Sequence, residues 1–213
     1  MIIHLVGAGP RNKTPFRSIQ KNENEVWIGV DRGAGYLLSE GIIPEAIFGD
    51  FDSISQSHLE ELKEKIENVF TFPPEKDDTD LELALKWALD QGPNKIMIHC
   101  VTGGRLDHEF GSINTLVKYL NHHTDILILD DVNEIKVLKE GSHLFKKSNE
   151  YKYISFFSLG NEVKNLTLEG FKYPLTNYSL KVGSSLCVSN EILNESGAIS
   201  FASGIVLVIR SKD

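Results

Sequence analysis

Residues 95–117 read KIMIHCVTGGRLDHEFGSINTLV, and the folding of this stretch decides the architecture of the first half of the chain. KIMIHCV is a short apolar run, the pattern of a strand buried on both faces. Gly103-Gly104 then permits a tight turn. From Leu106 the apolar period changes: Phe110, Ile113, Leu116, Val117 and Leu120 fall along one helical face. A strand that runs through a glycine turn directly into a helix is half of a βαβ unit.

The same alternation continues on both sides. IIHLVGAG, VWIGVD, AIFGD, NVFTF and DILILDD read as further strands, and SISQSHLEELKEKIEN and TDLELALKWALDQG carry helical periodicity between them. Beyond Asp131 the helical pattern stops. NEIKVLKEGSHLF, YKYISFFSLG, VKNLTLEGF, YSLKVGSSLCVSNEI and GAISFASGIVLVIR are β-rich runs broken by Gly, Asn and Ser. The expected fold is α/β: a Rossmann-like domain with a mostly parallel sheet over 1–135, then an all-β sandwich or barrel over 136–213, with no flexible linker.

Bulk properties narrow the function. A net charge of −8 argues against general binding to a nucleic-acid backbone, which depends on clustered Lys and Arg. No apolar run approaches the roughly 20 residues of a spanning helix. The start, MIIHLVGAG, has no basic region before its apolar run and reads as a first strand rather than a leader. Cys100 and Cys187 lack metal-ligand spacing and read as buried free thiols. Together these features point to a cytoplasmic protein. Trp27 and Trp87 read as core or near-core residues.

The chemistry concentrates in acids at predicted turns. Residues 47–53 read IFGDFDS, so Asp50 and Asp52 follow a strand with one residue between them. In extended chain both carboxylates point the same way and repel unless a cation lies between them. Mg²⁺ suits that role, because it takes one or two carboxylates and leaves its other positions to water and phosphate. A helix cap at Asp52 or Ser53 with a turn at Asp50 is the simpler alternative. Downstream, residues 76–80 read KDDTD. Thr79 and Glu82 form a capping box, and Asp80 falls in the first helical turn, where the dipole favours an acid. The cap leaves Asp77 and Asp78 unexplained, and five acids at two such entrances favour a metal–phosphate site.

At the Gly103-Gly104 turn, backbone N–H groups at the helix start could cradle phosphate, with Arg105 adding a charged fork beside Asp107 and His108. VDRGAGYLL is a similar strand–turn–helix with Asp31 at its turn. GAGPRNKTPFR could offer Arg11, Lys13 and Arg17 to an anion, although a solvated basic loop explains them as well.

In this order the segments VDRGAGYLLSEGIIPEAIFGDFDS, KDDTDLELAL, GGRLDHEFGSINTL and SLCVSNE resemble the thiamine pyrophosphokinase family over nearly the whole chain. The resemblance implies transfer of a pyrophosphoryl group from ATP to the hydroxyl of thiamine, giving thiamine diphosphate and AMP. It implies Mg²⁺ on Asp50, Asp52 and Asp80, with Asp77 in or near the same shell. Asp31, Gly103, Gly104, Arg105 and Asp107 would lie beside ATP. Ser189 and Asn190 would contact the thiamine pyrimidine, across the interface of a homodimer. Asp77 or Asp80 would accept the hydroxyl proton. A haloacid-dehalogenase-like phosphatase also uses a D-x-D loop. That loop follows the first strand of its core, whereas here two strands precede Asp50, and no later acidic pair completes the set.

Overall fold

The computed structural model describes residues 1–11, 24–50, 60, 63–73, 75 and 77–213. Asp52, Lys13, Arg17 and most of the helix expected over 53–68 lie outside the described residues. The chain divides into two compact units, one formed by 1–115 with 122–131 and the other by 116–121 with 132–213.

In the first unit, strands β1 (Ile2–Val6), β2 (Glu25–Val30), β3 (Ala46–Gly49), β4 (Asn68–Thr71), β5 (Lys95–His99) and β6 (Asp125–Leu129) lie in the order β4-β3-β2-β1-β5-β6. Every pairing among these six is parallel. Helices α1 (Arg32–Ser39), α2 (Asp80–Asp90) and α3 (Leu106–Lys118) alternate with them.

Adjacent residues of β3 show why its run is apolar throughout. Ile47 joins Ala34 of α1 and Ile66 in one cluster, while Phe48 stacks on Phe70 at 4.6 Å and meets Trp87 of α2 at 6.1 Å. Neighbouring side chains of a strand point to opposite faces, so α1 and α2 cover opposite faces of the sheet. Trp27 is buried and Trp87 half-buried, in line with their reading as core. Along α3, Leu116 is buried and Ile113 half-buried, but Phe110 is 65% exposed and departs from the expected buried face.

The second unit is all β apart from residues 116–121. Strand β13 (Val206–Ser211) pairs antiparallel with β7 (Asn133–Leu138) and β9 (Tyr153–Ser158). A second antiparallel sheet has the order β11 (Leu175–Leu180), β10 (Val163–Glu169), β12 (Ser196–Phe201), β8 (Gly141–Lys146). The sheets share one core, in which Phe156 of β9 meets Phe145 of β8 edge-on at 6.3 Å and Phe171 at 5.5 Å. Side chains from two antiparallel sheets meeting in a single core make a sandwich. Both cysteines are free and buried.

Candidate active site

Parallel strands bring all their carboxyl ends to one edge of a sheet. Here β1 connects to β2 on one side, whereas β4 connects to β5 on the other side of β1. The reversal lies between β1 and β5, and open α/β sheets bind ligands in the crevice at such a switch point. The chain leaves β1 there through Gly7 and Gly9, whose N–H groups donate to the carbonyls of His99 and Cys100 at 2.8 and 2.6 Å. A Cβ on Gly9 would lie 2.5 Å from the Cys100 oxygen, so only glycine lets the two strand ends approach this closely. The expectations for this loop concerned its cations instead. Of those, Arg11 is ion-paired with Glu40, and the glycines carry the structural role.

Asp31 and Asp50 end the adjacent strands β2 and β3. Their last register pair is Val30 with Phe48, and the Asp31 N–H donates to the Phe48 carbonyl at 2.8 Å. Asp31 has φ 50°, uncommon for a residue with a side chain, and its carboxylate does not cap α1. Asp31 and Asp50 are both half-buried. Two acids thus stand at the ends of neighbouring parallel strands.

Thr79 forms the expected cap. The Thr79 hydroxyl accepts from the Glu82 N–H at 3.2 Å, and α2 starts at Asp80, which is half-buried. Asp78 pairs with Lys86, eight residues further on, and Asp77 is exposed. Helix α2 packs along β3, β2 and β1, so its start follows from the same sheet edge that carries Asp50.

The turn after β5 is braced by its own acids. Gly103 has φ 73°, and its N–H donates to the Glu109 carboxylate at 3.1 Å. Arg105 donates from Nε and Nη2 to the two Asp107 oxygens at 3.1 and 2.6 Å. That fork, with the His108 N–H, holds the exposed Asp107 carboxyl down to about 2 and raises the Arg105 guanidinium. The expected phosphate cradle therefore already holds carboxylates: an incoming anion would take over donors that Glu109 and Asp107 now satisfy. Beneath the turn, the buried Thr102 hydroxyl donates to the buried Asp130 carboxylate at 2.7 Å, tying the end of β5 to the end of β6.

For Mg²⁺ the donor chemistry fits. Asp50 and Asp80 offer hard carboxylate oxygens, and one or two carboxylates are what this ion takes from a protein when phosphate supplies the rest. Among the described residues, no three His, Cys, Asp or Glu side chains form a group that could hold a metal by themselves.

In the second unit, Ser189 is exposed with φ 55°, and its N–H donates to the Ser155 hydroxyl at 2.9 Å. Asn190 is only 1% exposed. Its side-chain oxygen accepts from the N–H groups of Tyr173 and Glu191 at 3.0 and 2.9 Å, and its Nδ2 donates to the Tyr173 carbonyl at 2.9 Å. Its backbone pairs with Ile154 in both directions. Asn190 thus welds three segments and presents Ser189 beside them.

A buried polar cluster escaped the sequence reading because its members are scattered over three strands. His4 Nδ1 and His99 Nε2 lie 3.0 Å apart, His4 stacks on Trp27 at 4.1 Å, and His4 Nε2 is 4.0 Å from Glu25. Burial lowers His4 to about 4, against the opposing charge of Glu25. It lowers His99 to about 3, helped by His4.

Known proteins match along the whole chain. The family described as "Thiamin pyrophosphokinase, catalytic domain" matches residues 18–128, and "Thiamin pyrophosphokinase, vitamin B1 binding domain" matches 142–206. A thiamine pyrophosphokinase of Bacillus subtilis is 42% identical over 211 residues, covering 99% of each chain. The crystal structure of a Bacillus subtilis thiamine pyrophosphokinase superposes with a TM-score of 0.90 at 40% identity, covering 100% of both chains. That of a thiamin pyrophosphokinase from Geobacillus thermodenitrificans gives 0.90 at 42% identity, covering 100% of this chain and 98% of the other.

Proposed function

The chain belongs to the thiamine pyrophosphokinase family, and from that premise we propose that it transfers the intact pyrophosphoryl group of ATP to the hydroxyl of thiamine, giving thiamine diphosphate and AMP. The observation that carries the proposal is the gathering of Asp31, Asp50 and the Gly103–Asp107 turn at the carboxyl edge of one parallel sheet.

Transfer of this kind asks a protein mainly for in-line positioning and charge neutralisation. Asp50, Asp52 and Asp80 would hold Mg²⁺, which neutralises phosphate oxygens when bound. Asp31, Gly103, Gly104, Arg105 and Asp107 line the nucleotide side. Arg105 exchanges its Asp107 partner for a phosphate or shares itself between the two. Asp77 or Asp80 accepts the thiamine hydroxyl proton as the new O–P bond forms and the bond to the AMP oxygen breaks.

Ser189 is the thiamine contact, and Asn190 holds the segment that presents it. The working form is a homodimer in the cytoplasm. Exposed apolar side chains on the approach to Ser189, namely Val182, Leu186 and Val188, support contact with a second subunit there. Among the described residues, no helix is long and apolar enough to cross a membrane.

Incubation with ATP, Mg²⁺ and thiamine tests the reading. AMP and thiamine diphosphate should appear in equal amounts, and ADP or free phosphate as the sole nucleotide-derived product would overturn it.

A further inference from the structure

The sandwich unit contains a cavity of about 240 Å³ lined by none of the residues assigned to the reaction. Its lining includes Lys147, Lys152, Arg210, Tyr151, Tyr153 and Glu191, while Glu134, outside the lining, pairs with Arg210, and Asp213 acts on Lys152. Arg210 is fixed: its guanidinium donates to Glu134 and to the Lys146 carbonyl, both at 3.2 Å, and lies 5.5 Å over the Tyr151 ring. The Lys147 ammonium donates to the Leu193 carbonyl at 3.0 Å and that of Lys152 to the Tyr153 hydroxyl at 2.9 Å. Neither lysine has a carboxylate partner within ion-pair distance among the described residues.

The acid in the lining is already committed. Glu191 accepts from Lys172 at 2.6 Å, and its carboxyl is held below the ordinary range by that bond and by the charges of Lys172, Lys152 and Lys147. Lysine charges gathered around one ion-paired carboxylate leave an excess of positive charge along this concave, solvent-open wall. The volume is below the ~300 Å³ at which pockets begin to enclose a whole drug-sized ligand. It suits a compact polyanion, met by ammoniums as point charges and by one anchored guanidinium.

We propose that this cavity is a second anion site that takes a diphosphate group, as free pyrophosphate or as the diphosphate end of an ester. It is built wholly from the sandwich unit and does not rest on the assignment of the catalytic residues.

Calorimetric titration of the full-length protein in EDTA, which keeps metal-dependent binding out of the measurement, tests it. Sodium pyrophosphate and thiamine diphosphate serve as separate probes. A Lys147→Ala/Lys152→Ala double variant removes two exposed charges and should keep its turnover of ATP and thiamine. At least one probe should bind the unaltered protein and bind the double variant about tenfold or more weakly, with Lys147→Arg/Lys152→Arg restoring the affinity. Preference for pyrophosphate assigns the site to the free anion, and preference for thiamine diphosphate assigns it to the ester. Absence of binding by both probes, or affinities unchanged in the double variant, would overturn the proposal.

Discussion

At the scale of a single residue, Asp50→Asn tests catalysis apart from stability. Asp50 is half-buried at a strand end, and Asp50→Asn preserves its shape while removing its charge. Turnover should fall by a hundredfold or more, roughly the loss expected when a transition-state charge partner is removed, while the unfolding midpoint stays nearly constant. A large drop in the midpoint with residual turnover would make Asp50 a structural acid. Asn190 should behave in the opposite way. With its amide bonded to Tyr173 and Glu191 at 1% exposure, Asn190→Ala strands those backbone groups and should cost about 2–4 kcal/mol in urea unfolding. Unchanged stability with a raised KM for thiamine would instead make Asn190 a ligand contact. The sequence named both Ser189 and Asn190 but gave no sign that Asn190 is buried and Ser189 exposed. Which of two adjacent polar residues turns inward depends on the backbone, here on the left-handed φ of Ser189.

Among the elements, the helix starts were the most legible feature. Thr79 and Glu82 announced the cap of α2, and Thr79→Ala should cost about 1 kcal/mol. The alternation of strand and helix was equally plain, because the apolar period itself changes at each boundary. Strand order was not: parallel pairing is set by crossovers, and nothing local in KIMIHCV says that it lies beside β1 rather than β4. The switch point, and with it the role of Gly7 and Gly9, therefore appeared only in the fold. Gly33 belongs to the same class. A Cβ there would come within 1.7 Å of the Val6 carbonyl, so α1 cannot keep its seat on β1 with any larger residue. Gly33→Ala should lower stability by at least the 1–3 kcal/mol typical of overpacking, seen as a clear fall in the thermal midpoint. An unchanged midpoint would contradict this close approach. Phe110 shows the limit of periodicity: the helical pattern put it on the apolar face, and 65% of it is exposed.

For the molecule as a whole, the buried histidines make stability depend on pH. His4 and His99 are held near 4 and 3, below the ordinary 6.5, with Glu25 and Lys95 as the charges acting on His4. Between those values the unfolded chain binds protons that the folded chain refuses, so stability must fall as pH drops from 6.5 toward 4. The slope is on the order of 1.4 kcal/mol per pH unit for each uncoupled group. Urea unfolding across this range should show the decline, and His4→Gln/His99→Gln should flatten it. A variant that retains the full decline would place its origin elsewhere. The central claim is transfer of an intact pyrophosphoryl group at the strand-end acids, and ATP labelled separately at its β- and γ-phosphorus tests it most directly. Both labels should pass together, in their starting ratio, into thiamine diphosphate while AMP stays unlabelled. Appearance of the γ label alone in a thiamine monophosphate, with the β label left in ADP, would contradict the account.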